Sequence, residues 1–202
     1  MTDAAKGVKR SYRITDLDYP AIAVKSISVL IGAKLSDGQY YAFGKSKNAG
    51  VSNLVNYYHN VMRRCGRTKW VLAGYSQGAM VVAEAARQFN ASDVVYLGLF
   101  GDPQLNLPEG KGLSPLACSG RNLSVYRVNV PNCRTHTGVL GARKPYVPGK
   151  MSALQIGLWC NNEDFICGST SNPAKLSGHM QYAKQMPQLA QKVRQRLSVT
   201  RF

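Results

Sequence analysis

Residues 69–89, KWVLAGYSQGAMVVAEAARQF, join an apolar run to a serine between two glycines and then to a run of small residues. The apolar run predicts a short buried strand at 69–73, and the alanine-rich part predicts a helix over 77–89. Between them, GYSQG at 74–78 is the G-x-S-x-G pattern of a nucleophile elbow, in the strand-to-helix context that this pattern requires. Both glycines are expected because a Cβ would clash in so sharp a turn. A chance pentapeptide is the alternative, but the flanking strand and helix favour Ser76 as a nucleophile on a strained turn.

The composition predicts one globular domain. The chain has 202 residues, of which 45% are hydrophobic and 18% are charged, which is enough for a single domain with its own core. It contains no run of 18 apolar residues, so no membrane span is predicted. Residues 1–10 contain no apolar segment of the kind found in signal peptides, so no signal peptide is predicted there.

The net charge is strongly positive, since 26 Lys and Arg residues against 10 Asp and Glu residues give +16. Such a field attracts polyanions, including nucleic acid, acidic glycans, anionic lipid and cell-wall polymer. A solubilising surface explains the charge equally well. Because the chain contains no motif for reading bases, no specific nucleic-acid partner is predicted, whereas an anionic envelope polymer stays open as a partner.

Strands and helices alternate along the chain, without repeats or linkers. Strands are predicted at residues 11–17, 69–73, 94–100, 123–130 and 154–160. Helices are predicted after Gly50 as far as Cys65, over 77–89, and from about Met180 onward with a kink or break at Pro187. This alternation predicts an α/β domain with a mostly parallel sheet that is covered on both faces. Ligands bind such sheets at the carboxyl ends of the strands, where Ser76 is placed.

A serine nucleophile needs a base, and the chain offers three histidines. In this type of site the chain order is serine, then the acid, then histidine. His59 precedes Ser76 and is expected on the surface of a helix. His136 lies in a loop before the strand predicted at 154–160, and His179 follows that strand. The order therefore selects His179 as the base.

The acid that orients the base is sought among the carboxylates after Ser76, which are Glu84, Asp93, Asp102, Glu109, Glu163 and Asp164. Glu84 lies inside the predicted helix and is expected to point away. Asp102 ends a strand at the correct edge and is a serious rival, unless its carboxylate only caps the backbone of a Gly-Asp-Pro turn. Asp164 also follows a buried strand and lies 15 residues before His179. We select Asp164 and expect Glu163 to be a solvated neighbour.

The chain contains five cysteines, namely Cys65, Cys118, Cys133, Cys160 and Cys167. An odd number means that at least one is unpaired or has a partner outside this chain. Cys160 and Cys167 are close enough for a local disulfide around Asp164, which would restrict the movement of the acid. Disulfides favour an oxidising compartment. A zinc site is not predicted, because the chain has no Cys-x-x-Cys pair and no histidine at ligand spacing.

With these residues assembled, the chain resembles the cutinase family of serine esterases. The matches are Asp18-Tyr19-Pro20-Ala21, GYSQGA at 74–79, Gly101-Asp102-Pro103, Cys160-x-x-x-Asp164-x-x-Cys167-Gly168, and Gly178-His179 with Tyr182 just after. The resemblance implies an α/β-hydrolase fold, a three-layer sandwich without a large lid, and a Ser76, Asp164 and His179 triad. Gln77 would supply one backbone N–H to the oxyanion hole. It further implies a secreted hydrolase of carboxylic esters (cutin or polyester, short- to medium-chain acyl or lipid esters) that needs no cofactor. We expect a monomer and no metal.

Two features depart from the family pattern. No segment matches the Arg-Gly-(Ser/Thr) strand that gives the family its second oxyanion donor, and the cysteine that would pair at the Cys65 position is missing. We therefore expect residues 1–202 to be a single domain that lacks about the first strand and helix of the family. The remaining cysteines allow a Cys118–Cys133 bridge. The long stretch 120–150 either shapes a substrate wall or is padding.

Two other functions stay open. An endolysin-type esterase that cuts lipid esters of a cell envelope fits the positive charge, although the Cys160–Cys167 pair favours the secreted cutinases. A non-catalytic module that binds an anionic envelope would keep the fold without turnover. In the enzyme interpretation, Phe165, Ile166 and Leu176 contact the acyl chain, with a place in the core as the equal alternative.

Overall fold

The computed structural model describes residues 11–22, 37–105, 138–141, 143, 151–161, 163–168, 172 and 174–200. Its helices are α1 (Asp37–Arg64), α2 (Gln77–Ala85) and α3 (Met186–Leu197), and its strands are β1 (Trp70–Tyr75), β2 (Val94–Phe100) and β3 (Ile156–Trp159). Short 3-10 segments occupy Ala86–Gln88, Ala91–Asp93, Ala153–Gln155 and His179–Gln185. None of the helices in the described part of the chain has the length and apolar character needed to cross a bilayer.

The three described strands form one parallel sheet in the order β1-β2-β3, which confirms the predicted α/β architecture. All seven residues of β2 are buried, so this central strand is covered on both faces. The register aligns the carboxyl ends of the strands, with Tyr75 opposite Phe100 and Phe100 opposite Trp159. The residues that follow these three positions therefore meet at one edge of the sheet, and Ser76 is the first of them.

Helix α1 is longer than predicted, because it continues through Gly50 instead of starting after it. A glycine inside a helix is normally unfavourable, and this suggested a helix start. Here the glycine permits close packing: a Cβ on Gly50 would lie 2.9 Å from Cγ2 of Val81 on α2 and 3.0 Å from Cδ2 of Tyr19. Contact between α1 and α2 thus outweighs the backbone preference.

The strand predicted at 11–17 is wrong, because residues 11–22 form neither strand nor helix. Tyr12 and Ile14 are 57% and 48% exposed, so their alternation with polar residues does not mark a buried face. A strand also needs a neighbour for its backbone hydrogen bonds, and no described strand pairs with this segment. The strand predicted at 123–130 lies outside the described residues.

The predicted break at Pro187 is confirmed. A 3-10 segment over His179–Gln185 precedes α3, and Pro187 lies in the first turn of α3, where its missing N–H costs nothing. On α3, Leu189 packs against β2 at Gly98, where a Cβ would lie 3.0 Å from Cδ1 of Leu189. This packing fixes the His179 segment close to the carboxyl end of the sheet.

Candidate active site

Ser76 occupies the turn between β1 and α2 with φ 53° and ψ −121°, a strained conformation for a residue with a side chain. Its N–H donates to the carbonyl of Phe100 at 2.8 Å, which ties the turn to β2. A Cβ on Gly74 would lie 2.2 Å from the carbonyl oxygen of Gly78, so glycine is required at position 74. At Gly78 the same test finds only the Tyr19 hydroxyl at 3.8 Å, so the expected steric requirement is wrong there.

Gly74→Ala is expected to lower the free energy of unfolding by about 1–3 kcal/mol, because the new methyl group must displace the backbone of the turn. Gly44→Ala is the matched control, since nothing lies within 4 Å of a Cβ at this position in α1. The control should be neutral or stabilise the protein by about 0.5–1 kcal/mol, as alanine is the better helix former. Urea unfolding of both variants measures the difference, and equal midpoints would contradict the steric argument.

Asp164 and His179 form a buried pair, and each has 0% of its surface exposed. The Nδ1 atom of His179 lies 3.0 Å from Oδ1 and 2.9 Å from Oδ2 of Asp164. The carboxylate also accepts the backbone N–H groups of Ile166 at 2.9 Å and Cys167 at 3.4 Å. These donors offset the cost of burying the carboxylate. Because the carboxylate accepts the proton on Nδ1, Nε2 of the ring is left free of a proton and can accept one.

The loops that carry the acid and the base are joined by hydrogen bonds. Asn161 donates from Nδ2 to the carbonyl of Gly178 at 2.9 Å. In the backbone, Phe165 N–H donates to Lys175 at 3.0 Å, and Gly178 N–H donates to Glu163 at 3.3 Å. The Asp164 loop is itself closed by the predicted disulfide between Cys160 and Cys167. The relative position of acid and base is therefore set by local contacts on both sides.

Glu163 belongs to this connection and is more than the solvated neighbour expected from the sequence. It adopts φ 56°, and its carboxylate accepts Lys175 Nζ at 2.8 Å and Ser177 Oγ at 2.6 Å. The hydrogen bond from Lys175, with that from Ser177, lowers the pKa of Glu163. Glu163 is half-exposed, and its contacts hold the loop before His179 on the solvent side. Asp164 contacts the base on the buried side of the same loop.

The imidazole of His179 packs beside the nucleophile elbow. Its ring centroid lies 4.8 Å from that of Tyr75, the residue directly before Ser76, and the Tyr75 hydroxyl donates to the His179 carbonyl at 2.9 Å. A Cβ on Gly101, which has φ 56°, would lie 2.8 Å from Cε1 of His179. The missing side chain at Gly101 thus makes room for the ring at the end of β2.

Ser76 Oγ and His179 Nε2 are both buried, and within the described part of the chain neither has a hydrogen-bond partner. The acid-to-base hydrogen bond is present, whereas a base-to-serine hydrogen bond is not formed. In enzymes without substrate such contacts are often long and tighten when substrate binds. Neither polar atom is satisfied within the described residues, so each can form a hydrogen bond with a ligand.

Asp102, the rival acid, is committed elsewhere. Its carboxylate forms a buried bidentate ion pair with Arg143, at 2.6 Å from Nη1 and 2.9 Å from Nη2. Its Oδ1 also accepts the N–H of Gln104 at 2.9 Å, as the turn alternative expected. Of the other candidates, His59 is exposed, and Glu84 on α2 pairs with Arg87 in the 3-10 segment that follows. His136 lies outside the described residues.

The side chain of Gln77 holds the elbow to two neighbouring segments, which sequence reasoning did not foresee. Its Nε2 donates to the carbonyl of Phe43 on α1 at 3.3 Å, and its Oε1 accepts the N–H of Ile22 at 3.4 Å. Ser46 Oγ lies 2.6 Å from the Pro20 carbonyl and 3.1 Å from Gln77 Oε1, so its single proton serves these acceptors. Only the glutamine after the serine was visible as a sequence signal; Ser46 carries none.

A second apolar cluster lies beside the elbow and the Asp164 loop. Its buried members are Phe43, Met80 and Ile166, and its partly buried members are Ile22, Val139, Leu140, Phe165 and Leu176. The N–H of Met80 reaches the Ser76 carbonyl, and that of Ile166 reaches Asp164, so the cluster adjoins both. Of the three residues expected to contact an acyl chain, Ile166 is completely buried, whereas Phe165 and Leu176 are partly exposed.

Comparison with known proteins identifies the same family that the sequence resembles. The sequence model of the cutinase family matches residues 10–197. A cutinase from Hypocrea jecorina is 44% identical over 59 residues, which cover 28% of this chain and 24% of that protein. Cutinase 4 from Emericella nidulans is 37% identical over 90 residues, which cover 45% of this chain and 33% of that protein. The matched segments thus span about a quarter to a third of these relatives.

Among solved structures, an acetylxylan esterase matches with a TM-score of 0.52 at 21% identity, over 75% of this chain and 71% of that one. At this identity the likeness concerns the fold alone. This likeness, together with the parallel sheet and its flanking helices, confirms the cutinase-like α/β-hydrolase fold that the sequence predicted.

Proposed function

The chain belongs to the cutinase family, and we propose that it hydrolyses carboxylic esters through an acyl-enzyme formed on Ser76. The observation that carries the proposal is the buried Asp164–His179 hydrogen bond at 2.9 Å beside a serine held at φ 53° on an elbow. In this proposal residues 1–202 act as a single catalytic domain, and the chemistry uses side chains and backbone without a cofactor.

The mechanism assigns one task to each group. Asp164 keeps the proton of His179 on Nδ1 and stabilises the imidazolium, so that Nε2 accepts the proton of Ser76 as Oγ attacks the ester carbonyl. Gln77 is the first residue of α2, where backbone N–H groups have no intrahelical acceptor, and its N–H would donate to the oxyanion. His179 then protonates the leaving alcohol, and water releases the acid by the same route.

The substrate class follows from the surroundings of the elbow. The partly exposed Phe165 and Leu176 adjoin the Asp164 loop and provide apolar contacts for an acyl chain of a short- to medium-chain, lipid or polyester substrate such as cutin. The Cys160–Cys167 disulfide suits an oxidising environment, and we infer that the enzyme is secreted. We further propose that it acts as a monomer.

The net charge of +16 favours one second candidate, an esterase that cuts lipid esters of an anionic cell envelope. Both candidates share the triad and differ in substrate. Hydrolysis of short acyl esters, polyester and envelope lipid at low and high salt separates them, because attraction to an anionic surface is screened by salt. A non-catalytic envelope-binding module would instead bind anionic polymer without turnover, and Ser76→Ala would leave that binding unchanged.

The direct test is hydrolysis of a short-chain p-nitrophenyl ester by the chain and by Ser76→Ala. We expect turnover by the parent protein and a loss of at least about 10⁴-fold in the variant, because the acyl-enzyme cannot form. Ser52→Ala, at an exposed position on α1, is the matched control and should keep the parent rate.

A fluorophosphonate should label the parent protein and Ser52→Ala at one site each and leave Ser76→Ala unlabelled. Turnover that survives in Ser76→Ala would contradict the assigned nucleophile. No turnover and no labelling of folded parent protein would contradict the esterase proposal as a whole.

A further inference from the structure

Tyr182 is a buried tyrosine whose hydroxyl lies 2.6 Å from Oδ2 of Asp164. It belongs to the 3-10 segment that begins at His179, and its ring makes edge contacts with Phe100, at 5.8 Å, and His179, at 6.1 Å, between centroids. The side chain is therefore held from the sheet side and from the base side. The mechanism above gives it no task.

The direction of the Tyr182 hydrogen bond follows from its other neighbours. The backbone N–H of Asn161 donates to the hydroxyl oxygen at 2.9 Å, and an N–H can only donate. The Sγ atom of Cys167, at 3.4 Å, is a disulfide sulfur that has no proton and is a weak acceptor. The single hydroxyl proton therefore points to Asp164, and the donors run in one direction from Asn161 to Tyr182 to the carboxylate.

The tyrosine keeps this proton near neutral pH. Burial, together with the charge of Asp164, raises the pKa of Tyr182 well above its usual value. Within the described residues, the titratable groups that face the acid are His179, Tyr182 and Tyr75. Burial and the same charge raise the pKa of Tyr75 to about 12. Glu163 faces outward to Lys175. Both tyrosines are therefore neutral near pH 7.

We propose that Tyr182 is a positioning residue for ester hydrolysis: its hydroxyl proton holds Oδ2 of Asp164 and so fixes the carboxylate that orients His179. The proposal rests on the proposed function. The N–H groups of Ile166 and Cys167 donate to Oδ1, whereas the Tyr182 hydroxyl donates to Oδ2, the oxygen that lies 2.9 Å from Nδ1 of the imidazole. Without it the carboxylate can turn, and more of its charge acts on the imidazole.

Tyr182→Phe is the first test. The acid limb of the kcat/KM profile should move to higher pH by about one unit, because a carboxylate that has lost a donor stabilises the imidazolium more strongly. The plateau rate should fall about tenfold, as expected for one lost hydrogen bond to a charged group. Tyr96→Phe is the matched control: Tyr96 is buried as well, and its hydroxyl has no hydrogen-bond partner in the described part of the chain. Its profile should match the parent.

A variant that melts earlier but keeps the parental acid limb would make Tyr182 a packing residue and overturn the proposal. If Tyr182→Phe does not fold, 3-fluorotyrosine at position 182 keeps the ring and hydroxyl while making a stronger donor. The acid limb should then move to lower pH, and an unshifted limb would overturn the proposal.

A readout without turnover separates this inference from the esterase proposal. The Nδ1 proton of His179, hydrogen-bonded to Asp164, should give a downfield proton NMR resonance that shifts in Tyr182→Phe and stays in place in Tyr96→Phe. A resonance that is unchanged in Tyr182→Phe would count against the positioning role whether or not the protein hydrolyses esters. A protein without esterase activity whose resonance does shift would retain the hydrogen-bond role and lose the proposed function.

Discussion

Replacing Asp164 with asparagine is expected to lower kcat for a p-nitrophenyl ester by about 10⁴-fold, with the fold retained. The carboxylate accepts from both His179 Nδ1 and the Tyr182 hydroxyl, whereas an amide has one oxygen and one NH₂ group to present to them. If the NH₂ group faces the imidazole, the histidine proton moves to Nε2. That atom can then no longer accept the proton of Ser76, and the nucleophile stays neutral.

Asp102→Asn is the matched control, because Asp102 is also buried and also follows a strand at the same edge. Its rate should stay close to that of the parent, since its partner is Arg143 and not the base. Its stability should fall by about 3 kcal/mol, because the guanidinium loses a buried charged partner. Steady-state rates and urea unfolding of both variants give the comparison. A folded Asp102→Asn protein without activity, beside an active Asp164→Asn protein, would reverse the assignment of the acid.

The parts of the site that the sequence predicted depend on strong local patterns. The elbow stands between an apolar run and a run of small residues, and six of the seven residues of β2 are hydrophobic, so both strands were predicted. The chain order selected His179, and the place of Asp164 after a buried strand and inside the Cys160–Cys167 loop selected the acid. The structure brings these two side chains within 2.9 Å. Their catalytic roles stay predictions.

The parts that the sequence did not predict depend on contacts between distant residues. Ser46 approaches Gln77 from α1, 31 residues away, and Arg143 reaches Asp102 across 41 residues. Side-chain hydrogen bonds of this kind leave no periodic pattern. At Gly50 the prediction failed for the opposite reason. The low helix preference of glycine suggested that a helix starts there, whereas close packing against Val81 favours a helix that continues through this position. The strand predicted at residues 11–17 has no described partner.

Removal of the Cys160–Cys167 disulfide, in the double variant Cys160→Ala and Cys167→Ala, is expected to lower the free energy of unfolding by about 2–3 kcal/mol. This is the loop-closure entropy for a cross-link between cysteines seven residues apart. Activity should fall as well, because the closed loop carries Asp164 and the N–H of Cys167 donates to its carboxylate. A freer loop spreads the positions of the carboxylate and weakens its hold on His179.

Cys65→Ala is the control, since Cys65 is exposed and free. It should leave both the unfolding midpoint and the rate unchanged. Addition of dithiothreitol to the parent protein should reproduce the rate loss of the double variant and have no further effect on that variant. This result would distinguish loss of the cross-link from poor packing of the two alanines. If the double variant lost stability but kept the full rate, the hydrogen bonds from Ile166 and Tyr182 would be sufficient to hold Asp164, and the disulfide would serve stability alone.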